Sequence, residues 1–354
     1  MTTHAPATLD ALCALVSESG ATPLVVRGAG TKTAQAGGAG LAIDLRGVAG
    51  IAGYDPAECV VTARAGTPVR DVASTLAAHS QYLPWDPPLV DDGATVGGMV
   101  ASGWSGPGRY RYGGIRDFVI GARVIDGRGR LIASGGQVVK NAAGFLLHHA
   151  LVGSAGRLGV IADVSLKVFP APEATTTLVA TFATLADALA AHERVRRDGL
   201  ELDALDLVGT PVTLLVRIAG AAAAMPARVD RAARALGVGT DALTGDEERA
   251  VWARHVLRHT AEAPLVKVPS TPSRLPALLA ACAPVAAWHI SCGGAVVYLR
   301  PAPSLDAVRD ALTRLDARGV VVAGPEAGRL VGRTSASPFA DRVRGTLDPD
   351  GRFR

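Results

Sequence analysis

Little in this 354-residue chain marks it for a membrane, a metal cluster or a nucleic acid. Its four cysteines, Cys13, Cys59, Cys282 and Cys292, form no CxxC pair. An iron–sulfur cluster needs thiolates in close groups, so none is expected here. Buried, reduced thiols of a cytosolic chain are the expectation instead. Apolar residues make up 49% of the chain. Yet no stretch gives the roughly 18 uninterrupted apolar positions that a spanning helix requires. The N-terminus lacks the basic start and continuous apolar stretch of a secretory leader. Leucines, alanines and a valine between Leu9 and Val16 repeat instead as an amphipathic helix. A net charge of +4, from 36 basic and 32 acidic residues, is too mild to imply nucleic acid. The expectation is a cytoplasmic protein with no transmembrane segment and length for two domains.

What the chain does have is glycine in three ordered segments. PLVVRGAGTKT opens at Pro23, DPPLVDDGATVGGMVASGWSGPGRYRYGG at Asp86, and GGQVVKNAAGFLLHHALVGSAGRLGVIADVSLKVFP at Gly135. Glycine lets the backbone approach an anion closely and adopts positive φ without steric penalty. Successive N–H groups can then form an anion-binding nest. Three such segments point to a large, phosphate-bearing ligand. The turn Gly28-Ala29-Gly30-Thr31-Lys32 is followed by more glycines and no amphipathic helix. That argues against a dinucleotide turn of the doubly wound kind.

Strands are expected at residues 23–27, 41–45 and 59–65. A helix should start at Thr67 as N-cap, with Pro68 in the first helical position and Val69, Val72, Ala73 and Leu76 on one face. Residues 118–125 and 130–133 flank Asp126-Gly127-Arg128-Gly129, a hairpin turn. Residues 171–176 follow Pro170 and contain Pro172, lack strong periodicity and read as a boundary. Beyond them helices are expected at 185–197, 222–236 and 304–318. Strands are expected at 202–208, 212–219, 286–291, 295–300 and 320–323. That is an antiparallel sheet with helices on one face.

The ordered segments resemble the FAD-binding domain of the vanillyl-alcohol oxidase/PCMH superfamily, and within it the FAD-binding E subunits of bacterial glycolate oxidases. The resemblance rests on GYDPAECVVTARAGTP, LPWDPP, ATVGGMVASGWSGP, RDFVIGARVIDGRG and GGQVVKNAAGFLLHHALVGSAGRLGV. It implies an α+β protein with a PCMH-type, two-subdomain FAD-binding domain at 1–170. A smaller antiparallel α+β cap domain would follow at 171–325, with a C-terminal segment, 326–354, returning to the FAD domain. By resemblance, Gly28, Ala29, Gly30, Thr31 and Lys32 wrap the FAD pyrophosphate. Thr95, Val96, Gly97, Gly98 and Ser102 form a second wall, and Gly159, Val160 and Ile161 line the adenosine end. Thr31 stands where some members carry a histidine that links to FAD. Threonine cannot form that link, so non-covalent FAD is expected.

Other residues keep two readings. Lys140 and Asn141, the weak catalytic candidates, either steady a carboxylate or the anionic reduced flavin, or serve backbone carbonyls and solvent. Phe145 and Leu146 replace the Tyr-Asp of the family motif. His148, His149, His255, His259 and His289 read as surface or satisfied-core residues rather than metal ligands. Trp85, Trp104, Tyr110 and Tyr112 either cover the flavin or pack the domain. Arg109, Arg111 and Arg116 either bind a carboxylate or phosphate, or form a solvated basic edge.

The resemblance implies an FAD-binding subunit of a complex that oxidises glycolate or a related 2-hydroxy acid. Its partners would be a second flavin subunit and an iron–sulfur subunit, and any membrane association would run through them. The alternatives are a non-catalytic flavoprotein subunit for assembly or electron relay, and a stand-alone FAD oxidoreductase with another small substrate.

Overall fold

The computed structural model describes residues 3–32, 39–136, 146–255, 263–302, 304–324, 328, 330–333 and 337–353. They form two compact units. The first comprises residues 1–106, 113–171 and 336–354, and the second 107–112 and 172–335.

The first unit begins with strand β1 (Thr3–His4) and helix α1 (Leu9–Glu18). Thr8 caps α1 by accepting from the Ala11 N–H at 3.1 Å, and Leu12 and Val16, four apart, form its fully buried face. Strands β2 (Leu24–Arg27) and β3 (Leu41–Asp44) pair in parallel, and β1 joins on the far side of β3. Next come β4 (Ile51–Asp55), β5 (Val60–Arg64), α2 (Val69–Ala77) and β6 (Gln81–Tyr82). The expected cap of α2 is displaced. Pro68 takes the N-cap position with no side-chain hydrogen bond, because the Thr67 hydroxyl instead donates to the Gly50 carbonyl at 3.0 Å and accepts from its N–H at 2.9 Å. Val69, Val72 and Leu76 still form the buried face.

Helix α3 (Val96–Ser102) is capped by Thr95 and stopped by Gly103 in the left-handed region at φ 64°. After the short helix α4 (Arg109–Tyr112), which belongs to the second unit, the chain returns as β7 (Val119–Ile125), β8 (Leu131–Gly135), α5 (Leu147–Leu151), β9 (Val160–Lys167) and β10 (Phe169–Pro170). Five strands make an antiparallel sheet in the order β4-β5-β9-β7-β8. Its β7–β8 hairpin is closed by Asp126, which is fully buried and accepts from the Arg128 and Arg130 N–H groups, each at 2.9 Å.

The second unit holds β11 (Ala174–Phe182), α6 (Leu185–Arg197), β12 (Ala204–Val208), β13 (Val212–Gly220), α7 (Met225–Leu236), β14 (Asp241–Leu243), α8 (Gly245–His255), β15 (Leu265–Pro269), α9 (Leu275–Cys282), β16 (Val285–Ser291), β17 (Val296–Pro301), α10 (Leu305–Arg314), β18 (Arg318–Ala323) and β19 (Leu330–Gly332). The strands form one antiparallel sheet in the order β14-β11-β13-β12-β16-β17-β15-β18-β19. Alternate residues, such as Leu205 and Leu207, Leu214 and Val216, and Val297 and Leu299, pack against α6, α7, α9 and α10 in one core. On the opposite face, α8 seats Val251 and Trp252 against Ala204 and Leu215. The expected antiparallel sheet is therefore present, but its helices are not confined to one face: α6, α7, α9 and α10 cover one side and α8 the other. The nine-residue strand β11 begins inside the stretch expected to be a boundary.

Helix α11 (Pro338–Leu347) and the residues after it return to the first unit. Leu24 N–H donates to the Arg352 carbonyl at 2.8 Å, and Phe353 bridges Leu24 in parallel. The buried Arg352 guanidinium donates to the carbonyls of Gly127 at 2.7 Å and Val16 at 2.9 Å.

Candidate cofactor site

The glycine segments meet in one cleft of the first unit. From the β2 turn come Val26, Arg27, Gly28, Ala29, Gly30, Thr31 and Lys32, and from α3 and its cap come Thr95, Gly97, Gly98, Ala101 and Ser102. Ala155, Gly156, Gly159 and Ile161 line it from the approach to β9, with Leu45 and Ala65 beside them.

Two glycines allow the walls to close. A Cβ on Gly28 would overlap the Thr95 hydroxyl, and one on Gly97 would lie 2.7 Å from the Ala65 Cβ. The turns need glycine for a second reason: Gly30 has φ 78° and Gly156 has φ 78°. The Thr95 hydroxyl accepts from the Gly98 N–H at 3.3 Å, which fixes the first turn of α3 beside Gly28.

The polar groups suit a phosphate-bearing ligand. The Lys32 ammonium donates to the Thr31 hydroxyl at 3.1 Å. Burial pulls its pKa down to about 8, against the opposing pull of Asp92, so it remains mostly cationic at neutral pH. The Arg27 Nε is buried and has no hydrogen-bond partner among the described residues. An anion accepting from it would remove the cost of that orphaned donor. Val26, Leu45 and Ile161 add apolar surface for a ring. Backbone, hydroxyl, cation and apolar edge together fit FAD.

Of the expected wall residues, Gly28, Ala29, Gly30, Thr31, Lys32, Thr95, Gly97, Gly98, Ser102, Gly159 and Ile161 line the cleft. Val96 and Val160 do not; both side chains are fully buried in the core. Sequence reasoning passed over Arg27, Ala65 and Gly156, although all three lie inside the quoted motifs. Lys140, Asn141, Phe145 and His259 lie outside the described residues.

Several of the remaining candidates have ordinary partners. His148 is buried, its Nδ1 lies 3.1 Å from the Ser134 hydroxyl, and burial and the neighbouring His149 lower its pKa. Trp85 is fully buried and stacks on Phe118 at 4.7 Å between ring centroids. Tyr110 and Tyr112 lie in the second unit, where the Tyr112 hydroxyl donates to Asp203 at 2.8 Å. Arg111 stands 3.8 Å from both Glu201 and Asp203, and Arg116 is exposed. Among the described residues no group of three or more His, Cys, Asp or Glu side chains could hold a metal ion. Nor is any described helix long and apolar enough to cross a membrane.

Residues 3–135 match the family described as FAD binding domain. The chain is 45% identical over 158 residues to the glycolate oxidase subunit GlcE of Escherichia coli, covering 44% of this chain and 45% of that one. It is 30% identical over 210 residues to a D-lactate dehydrogenase of Anaerostipes hadrus, covering 58% and 44% respectively. The glycolate oxidase subunit GlcD of Bacillus subtilis is 31% identical over 165 residues, covering 45% and 34%. The chain thus spans less than half the length of these curated relatives. A solved structure of alkyldihydroxyacetonephosphate synthase superimposes with a TM-score of 0.73 at 16% identity, covering 99% of this chain and 76% of that one. The fold is therefore the expected α+β, shared with that solved structure, and the N-terminal region matches an FAD binding domain and is similar to the glycolate oxidase subunit GlcE.

Proposed function

We propose that this chain is the FAD-binding subunit of a glycolate oxidase-like complex that oxidises glycolate or a related 2-hydroxy acid. The observation that carries the proposal is the convergence of the three glycine segments, with Lys32, Thr95 and the orphaned Arg27 Nε, on one cleft. The likeness to GlcE supports the same reading.

Bound FAD would supply the hydride acceptor for the oxidation. The chain's own part is to hold and orient it. The Gly28–Gly30 backbone, the Thr31 hydroxyl and the Lys32 ammonium meet the pyrophosphate. Gly97 and Gly98 form the facing wall, and Ile161 covers an apolar edge. Thr31 has no ring nitrogen to attach a flavin, so retention is non-covalent. The partners are a second flavin subunit and an iron–sulfur subunit, with the complex in the cytoplasm and any membrane contact made through those partners.

A second reading, a flavoprotein subunit for assembly or electron relay, is favoured by one feature. Leu146, exposed at 45%, stands where the family motif carries aspartate. Anaerobic titration of the purified protein with glycolate and D-lactate separates the two. Bleaching of the flavin absorbance supports oxidation by this chain, and unchanged absorbance supports the relay. Acid precipitation should leave the FAD in the supernatant; flavin retained on the polypeptide would refute non-covalent binding.

A further inference from the structure

The second unit carries a polar row on the sheet face opposite its helical core. His289 lies directly opposite Tyr298, and Tyr298 directly opposite Lys267, across β16, β17 and β15. Directly paired residues share a face, with Cβ atoms about 4.5–5.5 Å apart. Their neighbours in sequence, Ile290, Val297, Val266 and Val268, belong to the helical core, which sends the three polar side chains the other way.

One acid lies beneath this row, and its own neighbours engage both of its oxygens. Asp206 is fully buried. Its Oδ2 accepts from His289 Nε2 at 2.8 Å and from the Ser291 hydroxyl at 2.9 Å. Its Oδ1 accepts from the Cys292 N–H at 2.9 Å. Three of its roughly four acceptor positions are thus used within the unit.

Two cations stand near this row. Helix α4 packs against the turn that follows β16, where a Cβ on Gly293 would overlap the Tyr110 ring, and its Arg109 guanidinium pushes the pKa of the half-buried Lys267 down, in addition to the larger effect of burial. Neither makes an ion pair or a side-chain hydrogen bond with any described residue. The Tyr298 hydroxyl likewise has no hydrogen-bond partner among them, and burial pushes its pKa up, keeping it a neutral donor. Two like charges drawn together raise each other's energy, and a bound anion lowers that cost.

We infer that Lys267, Arg109 and Tyr298 form a binding site for the carboxylate of a small organic acid. The Asp206–His289–Ser291 network fixes the β12–β16 floor beside it. The anion site stands on the second unit alone. Its assignment to a 2-hydroxy acid substrate rests on the proposed function.

The test uses the full-length, FAD-loaded protein under anaerobic conditions, with binding measured by calorimetry. Acetate probes the carboxylate alone, glycolate adds the hydroxyl, and ethylene glycol lacks the carboxylate. Acetate and glycolate should bind and ethylene glycol should not. Lys267→Met, close in volume to lysine, should weaken acetate binding roughly 10- to 100-fold, the range for losing one charge-assisted hydrogen bond. FAD content and melting temperature should be unchanged. Tyr298→Phe, which removes only the hydroxyl, should weaken binding by a smaller factor and guards against a folding defect in the first variant. Wild-type affinity in both variants, or no acetate binding by the wild type, overturns the site. Acetate binding without flavin bleaching by glycolate leaves the site standing and counts against the proposed oxidation.

Discussion

Gly28→Ala tests the cleft wall through a single atom. Gly28 is not among the positive-φ glycines, so alanine is allowed by its backbone and the substitution reads space alone. The new Cβ would overlap the Thr95 hydroxyl and lie 3.3 Å from both Cβ and Cγ2 of Thr95. Thr95 is 3% exposed, so its side chain has little room to retreat. Rotating it away breaks the cap on α3, which costs about 1 kcal/mol. Holding it off its preferred rotamer adds about 0.5–1.5 kcal/mol. Against this, replacing glycine narrows the unfolded ensemble and returns about 0.4–1 kcal/mol. The net expectation is a loss of about 0.5–2 kcal/mol in apo-protein stability, with lower FAD occupancy. Thr95→Ala alone should cost about 1 kcal/mol for the cap. In that background Gly28→Ala meets no hydroxyl, and its cost should vanish or change sign. Urea unfolding of the wild type, both single variants and the double variant measures the coupling. If the two effects add to within about 0.3–0.5 kcal/mol, the contact is absent and the reasoning fails.

Two further predictions follow from buried groups and from the turn. Gly30→Val places a β-branched residue at φ 78° in the turn facing the cleft. Flavin occupancy should fall sharply while circular dichroism retains the signal of the second unit; full occupancy would show that the turn does not touch the cofactor. His192, 1% exposed in the α6 core, has its pKa driven down to about 4, chiefly by burial. The fold holds it neutral while the unfolded chain takes up a proton below about pH 6.5. Its contribution is therefore complete above that pH and is lost as pH falls towards 4, to a limit of about 3 kcal/mol. His192→Phe should flatten the stability profile between those pH values, and an unchanged slope would refute the assignment.

The cofactor cleft was legible because its determinants are local. A glycine turn declares its backbone needs within a few residues, and Gly28, Gly30, Gly97 and Gly98 did so. Val96 and Val160 sit in the same motifs but point into the core, since their neighbours along helix and strand take the wall positions. Strand β11 escaped notice because both its faces are covered. Thr177 is fully buried, donates to Glu248 at 2.9 Å and accepts from Trp252 at 2.9 Å, which blurs the alternation that marks a one-sided strand. The excursion of residues 107–112 into the second unit leaves no periodic trace at all. Nor could the row His289–Tyr298–Lys267 be read, because it exists only once strand register is known.

The return of the chain at Arg352 and Phe353 gives the protein an order in time. The first unit is written in the gene as an early part, a long interruption and a late part. During synthesis the nine-stranded sheet of the second unit can assemble while β2, already paired with β3, still lacks the C-terminal segment on its other edge. Until the last segment emerges, the Leu24 N–H stays open, and the carbonyls of Val16 and Gly127 await their arginine. An unfinished chain would therefore present an exposed strand edge, the feature most prone to pairing with other chains. That edge would stay open for as long as residues 172–335, nearly half of the chain, take to be translated.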